Sequence, residues 1–210
     1  MSKKIDQKKG RGKVIVVSGP SGVGKSTICR EVVKRLDEVH LSVSVTTRAP
    51  GPGEQEGRDY WFVSEEEFRE RIEKGLLLEY AEVFGNLYGT PRDKVDEALE
   101  NGQSVVLEID VQGGRQAKAV YPDAVMVFVL PPSERALAER LGRRGRDSSE
   151  AAEKRLDGAS NEIAAAWQCY DNMVINEDLE HAVGEVIDIV TRALRDEKPS
   201  SGAGGSIGDE

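Results

Sequence analysis

A glycine-rich segment near the start of the chain has the residue types and spacing of a phosphate-binding loop. Its residues are Gly19, Pro20, Ser21, Gly22, Val23, Gly24, Lys25, Ser26 and Thr27. They fit the pattern G-x-x-x-x-G-K-[ST], and they lie between an apolar run and helix-compatible sequence, which is the context that the pattern requires. Glycines let the backbone curl so that successive N–H groups point at phosphate oxygens, and a helix N-terminus adds its positive end. We therefore expect this segment to bind the phosphates of a nucleoside triphosphate.

Two side chains of this segment have separate expected roles. Lys25 is expected to reach the β and γ phosphates, and the Ser26 hydroxyl is expected to ligate Mg²⁺. A glycine-rich turn with a surface lysine is the alternative interpretation, but it does not account for the flanking strand and helix. A phosphate loop alone does not separate a kinase from an ATPase, so a second substrate site is needed.

Three further groups of polar residues are candidates for that second site. They are Ser44, Arg48 and Tyr60; Glu79, Tyr88, Gly89 and Thr90; and Glu108 to Asp110. An arginine and a tyrosine hydroxyl that flank a turn can bind a phosphate, and a carboxylate at the end of a buried strand lies where α/β sheets bind ligands. Taken singly, Arg48 could be a solvated loop charge, Glu79 an exposed strand residue, and Asp110 a strand-end residue without a functional role.

The order of these groups along the chain resembles that of the guanylate kinase family. The shared blocks are the loop glycines, SVS-x-TTR, GE, G-x-DY-x-F, E-x-A, YGT, EIDVQG and a late NE, and they extend from about Lys13 to Leu194. The resemblance implies direct in-line transfer of the terminal phosphoryl group of ATP to GMP, with dGMP as a further acceptor, in purine nucleotide metabolism and GMP recycling. It implies ATP and GMP as small-molecule substrates and Mg²⁺ as the cofactor.

The resemblance also assigns the second site to GMP. Glu79 and Asp110 would bind the guanine N1–H and N2–H₂ groups, and Ser44 would contact O6. The other GMP-binding residues would be Arg48, Tyr60 and Tyr88 at the phosphate, Gly89, and Thr90 near the base or the phosphate. A carboxylate can accept both guanine donors, whereas adenine presents an acceptor at N1. Such a site rejects the wrong base by roughly 10⁴-fold or more in favourable cases, because its buried polar groups stay unpaired.

One position departs from the family pattern TR-x-PR-x-GE. The family has a second arginine three residues after Arg48, and this chain has Gly51 there. One phosphate-binding cation is therefore missing, so either Arg58 or a lid arginine compensates, or GMP binds more weakly. An inactive site is a further alternative, although every other motif position is intact.

An arginine-rich stretch between two expected helices is a candidate lid. Its arginines are Arg140, Arg143, Arg144 and Arg146, with Arg155 on the next helix. A run of arginines is usually a solvated face, but beside a phosphate loop it can attract polyphosphate and stabilise the charge of a transferring phosphoryl group. The resemblance assigns catalysis to Lys25, Arg48, Arg140, Arg144 and Arg155, and finds no counterpart for Arg143 and Arg146. It places Asn176 at the ATP adenine, although a strand-end turn explains that residue equally well.

Alternating strands and helices must position these residues, and they predict an α/β fold. Apolar runs predict strands at 14–17, 104–109, 124–130 and 173–175, and helix-compatible stretches lie at 25–36, 92–100, 114–120, 133–143, 149–169 and 179–194. The expected architecture is a P-loop NTPase-type parallel sheet flanked by helices on both faces. It would carry a small, mostly β GMP-binding insertion, with a short helix near 65–74, and the arginine-rich lid.

The expected division of the chain follows from these elements. The core would comprise residues 13–41, 91–132 and 157–196, the GMP-binding subdomain residues 42–90, and the lid residues 133–156. The ends, 1–12 and 197–210, are too polar to offset the entropy of ordering them and are expected to be disordered. Trp61 and Trp167 are expected to pack within the fold rather than to stack on a base.

Composition and charge exclude several classes of protein. The 29 basic and 38 acidic residues give a net charge of −9, which argues against sequence-independent nucleic-acid binding, since that needs a basic face. Cys29 and Cys169 match no metal-binding spacing and are expected to be reduced thiols. We find neither an apolar run of membrane-spanning length nor a signal-peptide pattern. We therefore expect a cytoplasmic protein without membrane partners, and the choice between monomer and homo-oligomer stays open.

Two other functions stay open from sequence alone. One is a non-catalytic guanylate-kinase-like module that recognises phosphorylated peptides. Such modules generally lack a working phosphate loop, so an intact Lys25 and Ser26 argue against this function. The other is a different P-loop kinase, acting on AMP, a pyrimidine monophosphate or a phosphorylated sugar.

Overall fold

The chain alternates strands and helices around two sheets. In the computed structural model the described residues are 12–83, 85–142 and 149–195, of which residues 83, 141, 142 and 149–157 are described by their backbone alone. In chain order the elements are β1 (Val14–Ser18), α1 (Lys25–Arg35), β2 (Val39–Leu41), β3 (Val45–Thr46), β4 (Trp61–Phe62), α2 (Glu65–Glu73), β5 (Leu77–Val83), β6 (Asn86–Pro91), α3 (Arg92–Glu100), β7 (Ser104–Glu108), α4 (Val111–Val120), β8 (Val125–Leu130), α5 (Glu134–Gly142), α6 (Ser149–Ala166), β9 (Asn172–Ile175) and α7 (Leu179–Leu194).

A five-stranded parallel sheet forms the centre of the fold, in the order β2-β7-β1-β8-β9. Strand β1 is buried along its whole length, because it has a strand on each edge and helices on each face. Val16 packs with residues of α3 and α4 on one face, and Ile15 and Val17 pack with residues of α1 and α7 on the other. Burial of both faces explains the continuous β-branched run. The fold class predicted from the sequence is confirmed.

The strand order creates a crevice at the carboxyl end of β1. The chain continues from β1 through α1 to β2 on one side of the sheet, whereas β8 pairs with the other edge of β1. Doubly wound sheets bind ligands at such a reversal, outside the carboxyl ends of the strands. The loop after β1 and the ends of β7, β8 and β9 therefore meet at one edge of the sheet.

A smaller sheet of order β4-β3-β6-β5 occupies the stretch in which the sequence predicted mostly β structure. Strand β6 pairs antiparallel with both β3 and β5. Helix α2 begins after Ser64, whose hydroxyl accepts a hydrogen bond from the Glu67 amide at 3.1 Å, and Phe68 on this helix is fully buried. The register of β5 shifts between Leu77 and Glu79, and such a bulge re-aims the side chains beside it.

Helix α4 begins earlier than the sequence predicted, at Val111 rather than at residue 114. The reason is a side-chain cap, because Asp110 Oδ1 accepts a hydrogen bond from the Gly113 amide at 2.7 Å. An aspartate in this position satisfies an amide that has no partner inside the helix. The cap therefore starts the helix directly at the end of β7 and fixes the Asp110 side chain there.

The predicted packing of the two tryptophans is wrong for Trp167, which is 66% exposed. Helix α6 ends at Ala166 rather than at residue 169, because the Cys169 and Tyr170 amides both donate to the Ala166 carbonyl oxygen and close a turn. Trp167 lies on the outside of that turn. Trp61 is 37% exposed and rests its ring against Gly57, where a Cβ would lie 2.9 Å from the ring.

The remaining expectations concern the ends of the chain and the cysteines. Residues 1–11 and 197–210 lie outside the described residues, as do Arg143, Arg144 and Arg146. None of the described helices is both long enough and apolar enough to cross a lipid bilayer. Cys29 is buried, Cys169 is half-buried, and neither forms a disulfide.

Candidate active site

The loop after β1 is shaped by glycines that a larger residue could not replace. Gly24 has a φ of +104°, and a Cβ there would lie 2.5 Å from Asn176 Nδ2. A Cβ at Gly19 would lie 2.4 Å from the Val129 carbonyl oxygen. Val23 between these glycines is fully buried and anchors the loop in the core. Helix α1 then begins directly after Gly24 without a side-chain cap, and such a helix N-terminus is a binding site for phosphate.

The Lys25 side chain folds back over the start of this loop. Its Nζ donates hydrogen bonds to the carbonyl oxygens of Gly19 at 2.6 Å and Pro20 at 3.0 Å. The ammonium group therefore lies at the mouth of the loop, where it can meet the outer phosphates of a nucleotide.

A carboxylate that the sequence left without a role lies beside the next residue. Ser26 Oγ donates a hydrogen bond to Glu108 Oε1 at 2.5 Å, and Glu108 ends β7, the strand next to β1. P-loop NTPases hold Mg²⁺ between the loop Ser or Thr and an acidic residue at such a strand end. That position was the signal by which Glu108 could have been found. Among the described residues no group of three or more His, Cys, Asp or Glu could hold a metal, so a cation here would also need phosphate and water oxygens.

A shallow recess of about 270 Å³ lies on the other side of the loop, lined in part by Gly24, Thr27, Arg140 and Asn176. Asn176 is only 6% exposed, and its Nδ2 donates to the Val23 carbonyl oxygen at 2.8 Å. Arg140 donates to the same carbonyl at 3.2 Å and to the Asn176 carbonyl oxygen at 2.8 Å. The end of β9 and the last turn of α5 are thereby joined to the loop.

Arg144 and Arg155 are the other two cationic residues that the sequence predicted for this region. Arg144 lies outside the described residues, and the side chain of Arg155 on α6 is also outside them.

Glu79 lies in a buried position between β5, β6 and α4. It is 7% exposed, and its Oε1 accepts a hydrogen bond from Thr90 Oγ1 at 2.6 Å, across the β5–β6 register. Its Oε2 lies so close to α4 that a Cβ on Gly113 would stand 2.9 Å away. Burial raises the pKa of the Glu79 carboxyl and the Asp110 charge raises it further, while the hydrogen bond from Thr90 opposes the shift. Glu79 Oε2 and Asp110 Oδ1 therefore both lie beside Gly113 at the start of α4.

Arg48, Tyr60 and Tyr88 form a second cluster on the small sheet. The Arg48 guanidinium lies over the Tyr60 ring, 5.3 Å from its centroid, and the Tyr60 and Tyr88 rings meet edge to face with centroids 5.9 Å apart. Arg48 Nη2 donates to both carboxylate oxygens of Glu54 at 2.8 Å. These hydrogen bonds, joined by one to Tyr88, raise the pKa of the arginine.

Gly51 lies next to this cluster. Its amide donates to Glu54 Oε2 at 2.7 Å, and a Cβ at this position would lie 3.2 Å from the same oxygen and 3.6 Å from Arg48 Nη1. Arg58, one of the residues expected to compensate for the missing arginine, pairs with Asp59 at 2.7 Å and lines the adjoining part of the cleft.

One cleft of about 840 Å³ lies between the phosphate loop and the small sheet. The phosphate loop lines it through Gly19, Ser21 and Lys25. The small sheet and its loops line it through the cluster of Arg48, Tyr60 and Tyr88 and through Ser44, Glu79 and Gly89, and Asp110 lines it at the start of α4. Thr90 is buried behind the wall and reaches the cleft only through Glu79. Glu162 on α6 also lines it; a glutamate within a helix carries no local signal, so the sequence did not single it out. Burial raises the pKa of Glu162, and Lys25 opposes that shift.

Comparisons with known proteins identify the family of the chain. The family model described as guanylate kinase matches residues 11–193. The chain belongs to the guanylate kinase family. It is 50% identical over 184 residues to a guanylate kinase of Rubrobacter xylanophilus. The aligned residues make up 88% of this chain and 96% of that protein. It is 47% identical over 181 residues to a guanylate kinase of Clostridioides difficile, covering 86% and 88% respectively.

A solved structure of a guanylate kinase from Anaplasma phagocytophilum superposes on the fold with a TM-score of 0.71. It shares 35% sequence identity and covers 91% of this chain and 89% of its own. The family membership inferred from the sequence blocks is therefore confirmed. Membership in a family of nucleoside monophosphate kinases also weighs against the non-catalytic alternative, because the phosphate loop described above is complete.

Proposed function

We propose that this guanylate kinase family member transfers the terminal phosphoryl group of ATP to GMP and yields ADP and GDP. The observation that supports the proposal is the cleft that Lys25 lines together with two carboxylates, the buried Glu79 and the exposed Asp110. The loop suits a triphosphate, and the carboxylates suit a base that presents two hydrogen-bond donors. Both substrates would therefore meet within one crevice at the end of the central sheet.

The donor end binds ATP through the backbone of Gly19 to Thr27 and through the Lys25 ammonium. Ser26 and Glu108 are the residues that would hold Mg²⁺, which neutralises charge on the β and γ phosphates when bound. The recess beside Asn176 suits the adenine, because it lies directly against the loop. Arg140 at this recess, together with Arg144 and Arg155, would stabilise the charge on the transferring group.

The acceptor end recognises guanine by hydrogen bonding. Thr90 donates to one oxygen of Glu79, so the remaining lone pairs of Glu79 and Asp110 can accept from guanine N1–H and N2–H₂. Ser44, which also lines the cleft, would donate to O6. Adenine would direct its N1 lone pair at a buried carboxylate and leave that group unpaired, which is the basis of strong discrimination.

The GMP phosphate would bind among Arg48, Tyr60 and Tyr88. Its oxygen attacks the terminal phosphorus of ATP in line, and no general base is needed because that oxygen is already anionic near neutral pH. The protein therefore works by positioning and by cations rather than by proton transfer. Closure of the small sheet and the lid over the core would exclude water, which otherwise hydrolyses ATP.

The Gly51 position sets the strength of phosphate binding in this proposal. Arg48 already shares its charge with Glu54 through two hydrogen bonds, so a GMP dianion would gain from a second cation. Arg58 lines the neighbouring part of the cleft together with Arg30. We propose that these residues partly compensate, and that GMP affinity is lower than an arginine at position 51 would provide.

The experiment that tests the proposed function measures GDP formation from ATP and GMP by the purified full chain. Lys25→Ala removes the ammonium that faces the outer phosphates and is expected to abolish GDP formation. Lys34→Ala is the matched control, since Lys34 lies on the same helix with its side chain 75% exposed. Near-normal turnover by Lys25→Ala, or no turnover by the unmodified chain, would contradict the proposal.

A further inference from the structure

A buried serine continues the connection between two strands beyond the end of their backbone ladder. The β1–β7 register ends at Val17 and Glu108, and the next backbone hydrogen bond, from the Ile109 amide to the Val17 carbonyl oxygen, is stretched to 3.4 Å. At that point Ser18 Oγ, which is fully buried, donates to the Ile109 carbonyl oxygen at 2.8 Å and also lies 3.3 Å from that of Asp110. The Ser18 hydroxyl therefore connects the ends of β1 and β7 beyond the last well-formed backbone hydrogen bonds between them.

A tyrosine from a distant part of the chain holds this serine. Tyr170 Oη donates to Ser18 Oγ at 2.6 Å, across 152 residues of sequence. The tyrosine is 7% exposed, and its ring meets Phe128 edge to face with centroids 5.4 Å apart. Burial raises the pKa of the phenol, so it stays protonated and remains a donor near neutral pH.

Gly114 on α4 admits the tyrosine hydroxyl. A Cβ at this position would lie 2.0 Å from Tyr170 Oη and 3.1 Å from its Cζ, closer than atoms can approach. Position 114 therefore needs glycine because a side chain would collide with Tyr170, and not because of its backbone conformation, which is that of an ordinary helix. Asp110 caps the start of α4, so the same contact holds the helix that follows Asp110 against the end of β1.

We infer that Tyr170, acting through Ser18, is a positioning residue that fixes Asp110 relative to the phosphate loop. Ser18 immediately precedes Gly19, the first residue of the loop, and its hydroxyl contacts the backbone of Ile109 and Asp110. The separation between the ATP phosphates and the guanine-binding carboxylate is therefore set by one buried hydrogen-bonded unit. The inference rests on the proposed function, because it takes Asp110 as a guanine ligand.

Loss of the phenol hydroxyl is expected to affect the two substrates unequally. Without the Tyr170 hydrogen bond, Ser18 is no longer held against the end of β7, and Asp110 loses its fixed position. The loop keeps its own contacts, such as those of Val23 with Pro20 and Asn176. Tyr170→Phe should therefore raise the KM for GMP about 3- to 10-fold, the range that a single hydrogen bond supplies, while the KM for ATP changes less than about 2-fold.

Tyr121→Phe is the matched control for this experiment. Tyr121 is also 7% exposed, and its hydroxyl donates to Asp96 at 2.8 Å, but Tyr121 is not one of the residues that line the cleft. Melting temperatures and steady-state kinetics are measured for both variants, with each substrate varied in turn. A purely structural role for Tyr170 predicts similar losses of stability and equal KM values for GMP in the two variants, and that result would overturn the inference.

A second pair of variants tests the packing independently. Gly114→Ala should lower stability strongly in the unmodified chain and much less in the Tyr170→Phe background, because the hydroxyl in its way is gone. Equal losses of stability in both backgrounds would contradict the geometry. If the unmodified chain forms no GDP, the proposed function fails together with this inference; if it forms GDP and Tyr170→Phe leaves the KM for GMP unchanged, only this inference fails.

Discussion

Replacement of Glu79 by glutamine separates the contribution of this residue to stability from its contribution to base recognition. The glutamine has nearly the same shape, and its amide oxygen would take the place of Oε1, because Thr90 Oγ1 donates at 2.6 Å. The amide nitrogen would then replace Oε2, so the side chain presents donors to guanine N1–H and N2–H₂, which are donors themselves. The substitution therefore converts an attraction into a mismatch while the packing is retained.

The magnitude follows from two terms. A hydrogen bond to a charged acceptor contributes about 1.5–3 kcal/mol, and a buried donor left without a partner costs about 1–3 kcal/mol more. A combined loss of about 3–4 kcal/mol corresponds to roughly 10²- to 10³-fold in kcat/KM for GMP. AMP is expected to lose little or to gain, because its N1 is an acceptor that an amide N–H can meet.

The assay measures ADP release with GMP and with AMP as acceptors and compares the two values of kcat/KM. Glu82→Gln serves as the control, since Glu82 lies three residues further along β5 with an exposed side chain. The GMP-to-AMP preference should fall by at least about 10²-fold in Glu79→Gln and stay constant in the control. An unchanged preference would remove Glu79 from base recognition.

The same variant should be more stable than the unmodified chain. The folded-state pKa of Glu79 is raised by burial, so the folded protein binds the proton more tightly than the unfolded chain does. The free energy of unfolding of the unmodified chain therefore falls as pH rises from the usual glutamate pKa through the raised pKa of Glu79. At higher pH the ionisation of Glu79 causes no further change in that free energy. Glu79→Gln carries no such charge, so its advantage in melting temperature should grow through that window and vanish at lower pH.

Two other substitutions test the donor and acceptor ends of the cleft. Glu108→Gln removes the carboxylate that accepts a hydrogen bond from Ser26. We expect roughly a 10- to 100-fold loss of kcat/KM and a higher Mg²⁺ concentration at half-maximal rate. An unchanged Mg²⁺ dependence would exclude Glu108 from the metal site. Gly51→Arg adds a cation beside Arg48, and the KM for GMP should fall by up to about 10-fold. Gln55→Arg is the control, since Gln55 is exposed and does not line the cleft. An equal or higher KM in Gly51→Arg would show that position 51 does not face the phosphate.

The phosphate loop could be predicted from sequence because its chemistry is local. Closely spaced glycines, a lysine and a serine must follow one strand and open one helix, and the geometry of Gly24 and Lys25 agrees with that prediction. Asp110 was a candidate from its place at the end of a buried strand, whereas the expected role of Glu79 and Asp110 at the guanine base came from the resemblance. Their meeting in one cleft depends on the pairing of β5 with β6 and on the cap of α4.

Contacts between distant parts of the chain could not be predicted. Ser26 reaches Glu108 across 82 residues, and Tyr170 reaches Ser18 across 152, so no local pattern encodes either pair. The space at Gly114 is visible only once α4 lies on β1. The exposure of Trp167 was missed for a related reason, because the end of α6 is set by hydrogen bonds to a single carbonyl group.

The most direct measurement of the central claim is ADP release by the purified chain with a panel of acceptors at equal concentration. The panel comprises GMP, AMP, CMP and UMP, together with an assay without acceptor. Two facing sites, one for a triphosphate and one lined by carboxylates for guanine, predict rapid ADP release with GMP and little with the other three. Faster release with AMP or a pyrimidine monophosphate, or the same release without any acceptor, would contradict that claim.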